Sequence, residues 1–116
     1  MTTAVATPDD VRAEIDTNLE NEIIQHYLDA EAMELSLLND LTTINGDIRR
    51  RLEVLGACLR ILDRREKAVA SEEVDAVQFR YEQSTISRIE AERTRLGDAA
   101  NVYLSERRQK AVFEMF

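Results

Sequence analysis

The sequence predicts a mostly α-helical fold: one small bundle of about four helices, with an extended loop or a short β-strand between the central and the last helix. Apolar residues recur at helical spacing along most of the chain, and capping motifs precede two of the periodic segments. A chain of 116 residues has room for one hydrophobic core rather than two. We therefore expect a single domain over residues 1–116, with an N-terminal arm at 1–7, the loop or strand at 67–83 and an apolar tail at 109–116.

Residues 47–62 are predicted to form the central, largely buried helix. Their apolar side chains follow spacings of three and four, which places each stripe on one face of a helix. Because two stripes lie side by side, the helix should pack against neighbours on more than one side. Cys58, the single cysteine, is expected to be a buried hydrophobe. The first stripe is Ile48, Leu52, Leu55, Leu59 and Leu62, and the second is Val54, Cys58 and Ile61.

A short first helix is expected from Pro8 to about Glu14. Thr7 can accept hydrogen bonds from the first amides, and Pro8 suits the first helical position. Two aspartates follow, where they complement the positive end of the helix dipole. Val11 and Ile15 give this helix one apolar side.

A longer second helix is expected to begin at a capping box formed by Thr17 and Glu20 and to run to about Leu38. Its acids form either a solvated surface or an acidic wall that faces a basic partner or a passage for DNA. The inner stripe is Ile24, Leu28, Ala32 and Leu35, flanked by Ile23, Tyr27 and Leu38, and the acids on its other faces include Glu22, Asp29 and Glu34.

The start of the central helix is rich in arginine. Asp47 is expected to cap the helix, and Arg49, Arg50 and Arg51 occupy its first turn. Positive charge at this end opposes the helix dipole. The three arginines therefore either pair with acids of the preceding helix or contact another subunit.

The segment before the last helix has a strand pattern. Val77, Phe79 and Tyr81 alternate with polar residues, which predicts a strand of about six residues. A lone strand leaves its backbone groups unpaired. This strand is expected either to form a small hairpin with residues 68–70 or to pair with another chain.

The last helix is expected to begin at a cap provided by Ser84 or Thr85, and to bend or restart near Gly97. Asp98 offers a second cap at that point. The apolar tail that follows either folds back onto the bundle or inserts into a partner. The inner side of the helix should contain Ile86, Ile89, Leu96, Ala100 and Tyr103.

The net charge of −8 is unevenly distributed. Residues 1–46 contain ten acids and one base, whereas residues 47–70 contain seven bases and four acids. The acidic total argues against a protein that coats DNA nonspecifically, since phosphate binding needs a basic face. The sequence has neither a leader pattern nor an apolar run long enough to span a membrane, so we expect a soluble, unprocessed chain.

The sequence offers few groups for catalysis or metal binding. His26 is the only histidine, and the three glycines are scattered at 46, 56 and 97 rather than grouped in a phosphate-binding loop. We therefore expect no enzyme, no cofactor and no metal site; an enzyme would have to rely on His26.

The order of these elements resembles that of the head-to-tail connector, or neck adaptor, proteins of long-tailed phages and of the related tailed viruses of haloarchaea. The resemblance covers roughly residues 8 to 105 and depends on the order and spacing of short motifs. These motifs are Pro8-Asp9-Asp10-Val11-Arg12, the acidic helix from Leu19 through Ala30-Glu31-Ala32, the buried central helix, Val77-Gln78-Phe79-Arg80-Tyr81-Glu82, Leu96-Gly97 and Tyr103-Leu104.

The resemblance implies a structural protein of the virion, made in the host cytoplasm and located at the head-tail junction. Such proteins assemble, typically as dodecamers, into a ring beneath the portal, extend the DNA channel and dock the next neck or tail component. DNA only passes through. The resemblance implies intersubunit contacts at Val77, Phe79 and Tyr81, and portal contacts at Val112, Phe113, Met115 and Phe116. The unfavourable position of their charges adds Arg49, Arg50 and Arg51 as candidate intersubunit residues.

A second class of protein fits the same pattern. A helical regulatory or scaffolding protein that pairs as a homodimer through its central and last helices would also consist of amphipathic helices. It would need a heptad seam with charged flanks over several turns. The predicted loop at 67–76 and Gly97 interrupt any such seam here.

Overall fold

Helices make up nearly all of the regular structure. The computed structural model describes residues 2–69 and 76–104, with side chains at 2–64 and 83–104. This part of the chain contains no β-strand, and the predicted mostly helical bundle is confirmed. The elements are α1 Pro8–Glu14, α2 Asn21–Leu38, a 3-10 turn at Leu41–Thr43, α3 Gly46–Val69 and α4 Ala76–Ala100.

Helix α3 lies at the centre, as predicted. It contacts each of the other three helices, and α1 also packs against α2. Every residue from 52 to 59 is buried, and Cys58 is fully buried. Ile48 is the one member of the two stripes that stays partly exposed. Burying a leucine or isoleucine side chain stabilises a fold by about 1.5–3 kcal/mol, so the double stripe of α3 is the main source of stability.

The first helix begins where its sequence predicts. The Thr7 N–H donates to Asp10 Oδ2 at 2.9 Å, and the Asp10 N–H donates to the Thr7 carbonyl at 3.0 Å. Val11 is fully buried and Ile15 is nearly so, which confirms the apolar side of α1. This reciprocal bonding satisfies amides that the first turn leaves unpaired.

The predicted capping box at Thr17 is wrong, because α2 begins at Asn21. Thr17 Oγ1 instead accepts from the Leu19 N–H at 3.3 Å, and the Leu19 carbonyl accepts from Arg12 at 2.9 Å. Threonine stabilises such local turns as well as helix caps. The inner stripe of α2 is buried as predicted: Ile24, Leu28, Ala32 and Leu35.

Asn45, not Asp47, caps α3. Its Oδ1 accepts from the Asp47 N–H at 2.9 Å and from the Ile48 N–H at 3.4 Å. Asp47 lies within the first turn, where its charge complements the helix dipole.

The predicted strand over residues 77–82 is wrong, since α4 begins at Ala76 and runs through them. The predicted caps at Ser84 and Thr85 are therefore interior positions of α4. Val77 and Tyr81 are four residues apart, so the same short apolar pattern fits one helix face as well as a strand. Ile86 and Ile89 are buried against the core as predicted.

Helix α4 continues through Gly97 and ends at Ala100 without the predicted restart. Asn101 follows in the left-handed region with φ 55°, and the Val102 N–H donates to the Gly97 carbonyl at 2.9 Å. This geometry is the Schellman motif, which satisfies the last carbonyls of a helix. Because α4 stops here, Tyr103 lies beyond it and is 74% exposed rather than on its inner side.

Candidate interaction surfaces

Arg50 and Arg51 connect α3 to its neighbours within the chain. Arg50 forms two parallel hydrogen bonds to the Asp10 carboxylate, at 3.0 and 2.9 Å. Arg51 Nε donates to Glu92 at 2.7 Å, and Arg51 Nη1 donates to Glu14 at 2.8 Å. The two guanidinium groups therefore bind α1 and α4 to the start of α3.

The acids in these pairs are electrostatically stabilised. The hydrogen bond from Arg51, with a second one from Arg88, holds the pKa of Glu14 below its ordinary value against the opposing effect of burial. The Thr7 amide and the Arg50 side chain lower the pKa of Asp10. Both carboxylates are therefore charged at neutral pH and complete the ion pairs.

Arg49 belongs to a different contact, which holds the N-terminal arm. It donates to Glu53 Oε2 at 3.0 Å and to the Thr3 carbonyl at 2.8 Å. Glu53 is fully buried, and its Oε1 accepts from the Val5 and Ala6 amides at 2.8 and 2.9 Å. The arm is thus bound to the middle of α3 by a buried carboxylate.

A second buried carboxylate joins α2 to α3. Glu31 Oε2 accepts from Arg60 Nε at 2.5 Å, and Glu34 Oε1 accepts from Nη2 of the same guanidinium at 2.5 Å. Burial would lower the pKa of Arg60, but its two carboxylate partners raise it overall. Two of the four acids of α2 are therefore neutralised on the inner side of the helix, next to Arg93 of α4.

The outer face of α2 carries a largely apolar stripe that the described part of the bundle leaves partly exposed. We call it the α2 seam. Ile23 is 37% exposed, Met33 38% and Leu37 76%. The seam consists of Ile23, His26, Ala30, Met33 and Leu37, at spacings of three, four, three and four. Such spacing is typical of helices that pair with another helix.

More apolar surface lies at the end of the bundle where α2 and α4 finish. Leu37, Leu38 and Tyr103 form this end patch, with Leu38 44% exposed. The Asn39 side chain holds the two segments together, because its Oδ1 accepts from the Tyr103 N–H and its Nδ2 donates to the Tyr103 carbonyl, both at 2.8 Å. These two hydrogen bonds join the end of α2 to the segment that follows α4 at the end patch.

The predicted site residues are distributed unevenly over these surfaces. Arg49, Arg50 and Arg51 lie together at the start of α3, each with partners in its own chain. Val77, Phe79 and Tyr81 lie in the first turns of α4, and their side chains are outside the described set. The predicted portal contacts Val112, Phe113, Met115 and Phe116 also lie outside the described residues.

The sequence alone predicts Ile23 and Leu38 as flanks of a buried stripe and does not predict the α2 seam. The helical spacing of the seam residues is the one signal of the seam that the sequence contains. Both stripes of α2 are built from spacings of three and four, and only the packing decides which one is buried.

Among the described residues, no group of histidine, cysteine and acidic side chains is arranged to hold a metal ion. None of the described helices is long and apolar enough to cross a membrane. Comparison with known proteins gives no match: no family model fits the chain, and no curated protein or solved structure is significantly similar to it.

Proposed function

We propose that this chain is a structural virion protein, a head-to-tail connector that forms a ring beneath the portal of a tailed virus. In this proposal the ring, a dodecamer by the family resemblance, extends the DNA channel and docks the next neck or tail component. The protein is made in the host cytoplasm and ends up in the virion neck. DNA passes through the ring without being bound.

The observation that carries the proposal is the end patch. Leu37, Leu38 and Tyr103 come from two segments that two hydrogen bonds between Asn39 and Tyr103 join, and all three are substantially exposed. Exposed apolar groups clustered in this way mark surfaces that other proteins cover. A subunit whose apolar surface is completed by its neighbours suits a closed ring.

The charge distribution supports the same proposal. No lysine or arginine occurs between Arg12 and Arg49, a stretch that includes all of α2. Arg49, Arg50 and Arg51 are occupied by acids and a carbonyl of their own chain. An acidic lining repels phosphate, so packaged DNA would slide through such a ring rather than adhere to it.

The contacts of the ring follow from the same proposal. Val77, Phe79 and Tyr81 contact the neighbouring subunit, and the apolar tail contacts the portal. Of the three arginines, Arg50 has the most exposed side chain, at 50%, and is the best placed to exchange its Asp10 partner for an acid of the next subunit.

The test is assembly with portal protein. The purified chain is mixed with portal rings and analysed by native mass measurement and electron microscopy. We expect a ring that forms only with portal, and we expect deletion of residues 112–116 to abolish binding while helical content stays unchanged. Unchanged portal binding by the truncated chain would show that the tail is not the contact. Failure of the intact chain to bind any portal would reject the adaptor function.

A homodimeric regulatory or scaffolding protein is the second candidate: the α2 seam has the spacing of a helix-pairing surface, although the acids of α2 oppose the pairing of two copies. The mass of the free chain separates the two functions. A stable dimer without portal supports the regulator, whereas a monomer that becomes a ring only with portal supports the adaptor.

A further inference from the structure

We propose that the α2 seam is a docking site for a basic amphipathic helix of a partner protein. The proposal concerns this helix face alone and does not depend on the adaptor function. The site is the outer face of Asn21–Leu38, on the side opposite the buried stripe.

The geometry of the seam fits a helix as the occupant. Its residues run from Ile23 to Leu37, which is two heptads and about four helical turns. All five lie within a narrow arc of the helix, because spacings of three and four alternate. A partner helix laid along α2 would insert its own apolar side chains between Ile23, Met33 and Leu37.

The seam offers surface for binding because the fold buries the opposite face of α2 and covers the seam only in part. The inner stripe of α2 supplies the core contacts, with Ile24, Leu28 and Ala32 fully buried. Leu37 is 76% exposed, so it contributes little to the stability of the bundle. Substitutions in the seam can therefore be tested without unfolding the protein.

The charge around the seam specifies the sign of the partner. Helix α2 contains no lysine or arginine, and of its four acids Glu31 and Glu34 already pair with Arg60. Glu22 and Asp29 are therefore the acids of α2 that flank the seam. Glu22 is exposed beside Ile23, and Asp40 is exposed just beyond the end of the seam. A helix with lysines or arginines beside its apolar stripe would place them opposite these acids.

The same charge argues against a second copy of this chain as the occupant. Pairing two α2 helices through their seams would bring acid against acid, since neither copy supplies a cation from α2. Like charges at the flanks of a helix pair disfavour pairing. A basic partner avoids this repulsion.

The experiment uses the intact chain and a synthetic peptide of about three heptads. The peptide has leucine at its a and d positions and lysine at e and g, so that it does not pair with itself. A scrambled peptide of the same composition is the control for nonspecific attraction to an acidic protein. Binding is followed by fluorescence anisotropy at physiological salt.

We expect the patterned peptide to bind at least about tenfold more tightly than the scrambled one. Leu37→Glu should weaken binding at least about tenfold, and His26→Leu should strengthen it, because it removes the polar ring from the middle of the seam. Ala91→Glu, on the exposed face of α4, is the matched control and should bind as the unmodified chain does. Circular dichroism checks that each variant is folded.

Equal binding of the patterned and scrambled peptides would overturn the proposal. So would a Leu37→Glu variant that binds like the Ala91→Glu control. If the free chain is a dimer that Leu37→Glu converts to a monomer, the occupant is a second copy, and the assignment of a basic partner is wrong. Portal binding tests the adaptor function separately, so the two proposals can fail independently.

Discussion

The carboxylate of Glu31 on α2 occupies the space above Gly56 of α3 that any larger residue would fill. A Cβ built at position 56 overlaps the Glu31 side chain. Glu31 is 2% exposed, and its Oε2 accepts from Arg60 Nε at 2.5 Å. The glycine therefore provides the room for a buried contact between two helices, at the cost of about 1 kcal/mol that glycine carries in a helix interior.

Gly56→Ala should destabilise the fold by about 2–4 kcal/mol, because the added methyl group displaces Glu31 from Arg60. The free energy of unfolding in urea measures this loss. Gly46→Ala is the matched control: no atom lies within 4 Å of a Cβ at that position. It should be neutral or stabilise the fold by up to about 1 kcal/mol.

The double variant Gly56→Ala/Glu31→Ala tests the cause. It should lose less stability than the two single changes combined, because the clash disappears with the glutamate. Strictly additive losses would show that the two residues do not interact in this way.

Stability should fall in acid as Glu14 loses its charge. The pKa of Glu14 is lower in the folded chain than its ordinary value of 4.5, chiefly through the hydrogen bond from Arg51. A carboxylate of this kind stabilises the fold above its unfolded pKa, and the contribution is lost as the pH falls through its folded pKa. The free energy of unfolding should therefore decrease as the pH falls below the ordinary pKa of 4.5 and through the lower pKa of folded Glu14.

Glu14→Gln should flatten that decrease, since the amide does not titrate. Urea unfolding curves recorded at about one-unit intervals between about pH 3 and pH 7 give the change in the free energy of unfolding with pH. In an Arg51→Gln background, Glu14→Gln should alter the pH dependence of stability less, because Arg51, the principal partner of Glu14, is already absent. An unaltered acid slope in Glu14→Gln would assign the acid sensitivity to other carboxylates.

Glu53→Ala should release the N-terminal arm. The buried carboxylate accepts two amides of the arm and one bond from Arg49, so its removal leaves three donors unsatisfied. We expect a loss of about 2–4 kcal/mol and faster hydrogen exchange at the Val5 and Ala6 amides. Glu53→Gln keeps an oxygen for the amides, and should protect them better than alanine does. Equal exchange in both variants would contradict this role of the carboxylate.

Asn39→Ala should loosen the end patch. Removing the side chain breaks both hydrogen bonds to the Tyr103 backbone, which should accelerate hydrogen exchange at Tyr103 and cost about 1–3 kcal/mol. Ser36→Ala is the control, because the Ser36 hydroxyl bonds to the nearby Met33 of its own helix and not to Tyr103 among the described contacts. If Tyr103 exchange is the same in the two variants, Asn39 does not hold the patch.

Much of the fold was predictable because it depends on neighbours in sequence. The start of α1 at Thr7, the inner stripe of α2 and the two stripes of α3 follow from spacing and local capping alone. The prediction is wrong where one local pattern is compatible with two structures. Thr17 stabilises a turn of the chain instead of capping a helix. Val77 and Tyr81 have a spacing that suits a helix as well as a strand.

The candidate surfaces were less predictable, for a different reason. Spacing assigns both the inner stripe and the seam of α2 to helix faces, but burial depends on which face α3 meets in three dimensions. Tyr103 was expected on an inner face and is exposed, because α4 ends at Ala100.

By itself the sequence determined the helical class, the central position of residues 47–62 and the acidic character of α2, since periodicity and composition are local properties of the chain. Only the tertiary structure decided how the charges pair. Arg51 lies 37 residues from Glu14 and 41 from Glu92, and their contact exists because α1 and α4 both pack against the start of α3. The same packing covers one face of α2 and leaves the α2 seam exposed, since α3 can bury only the face that it touches.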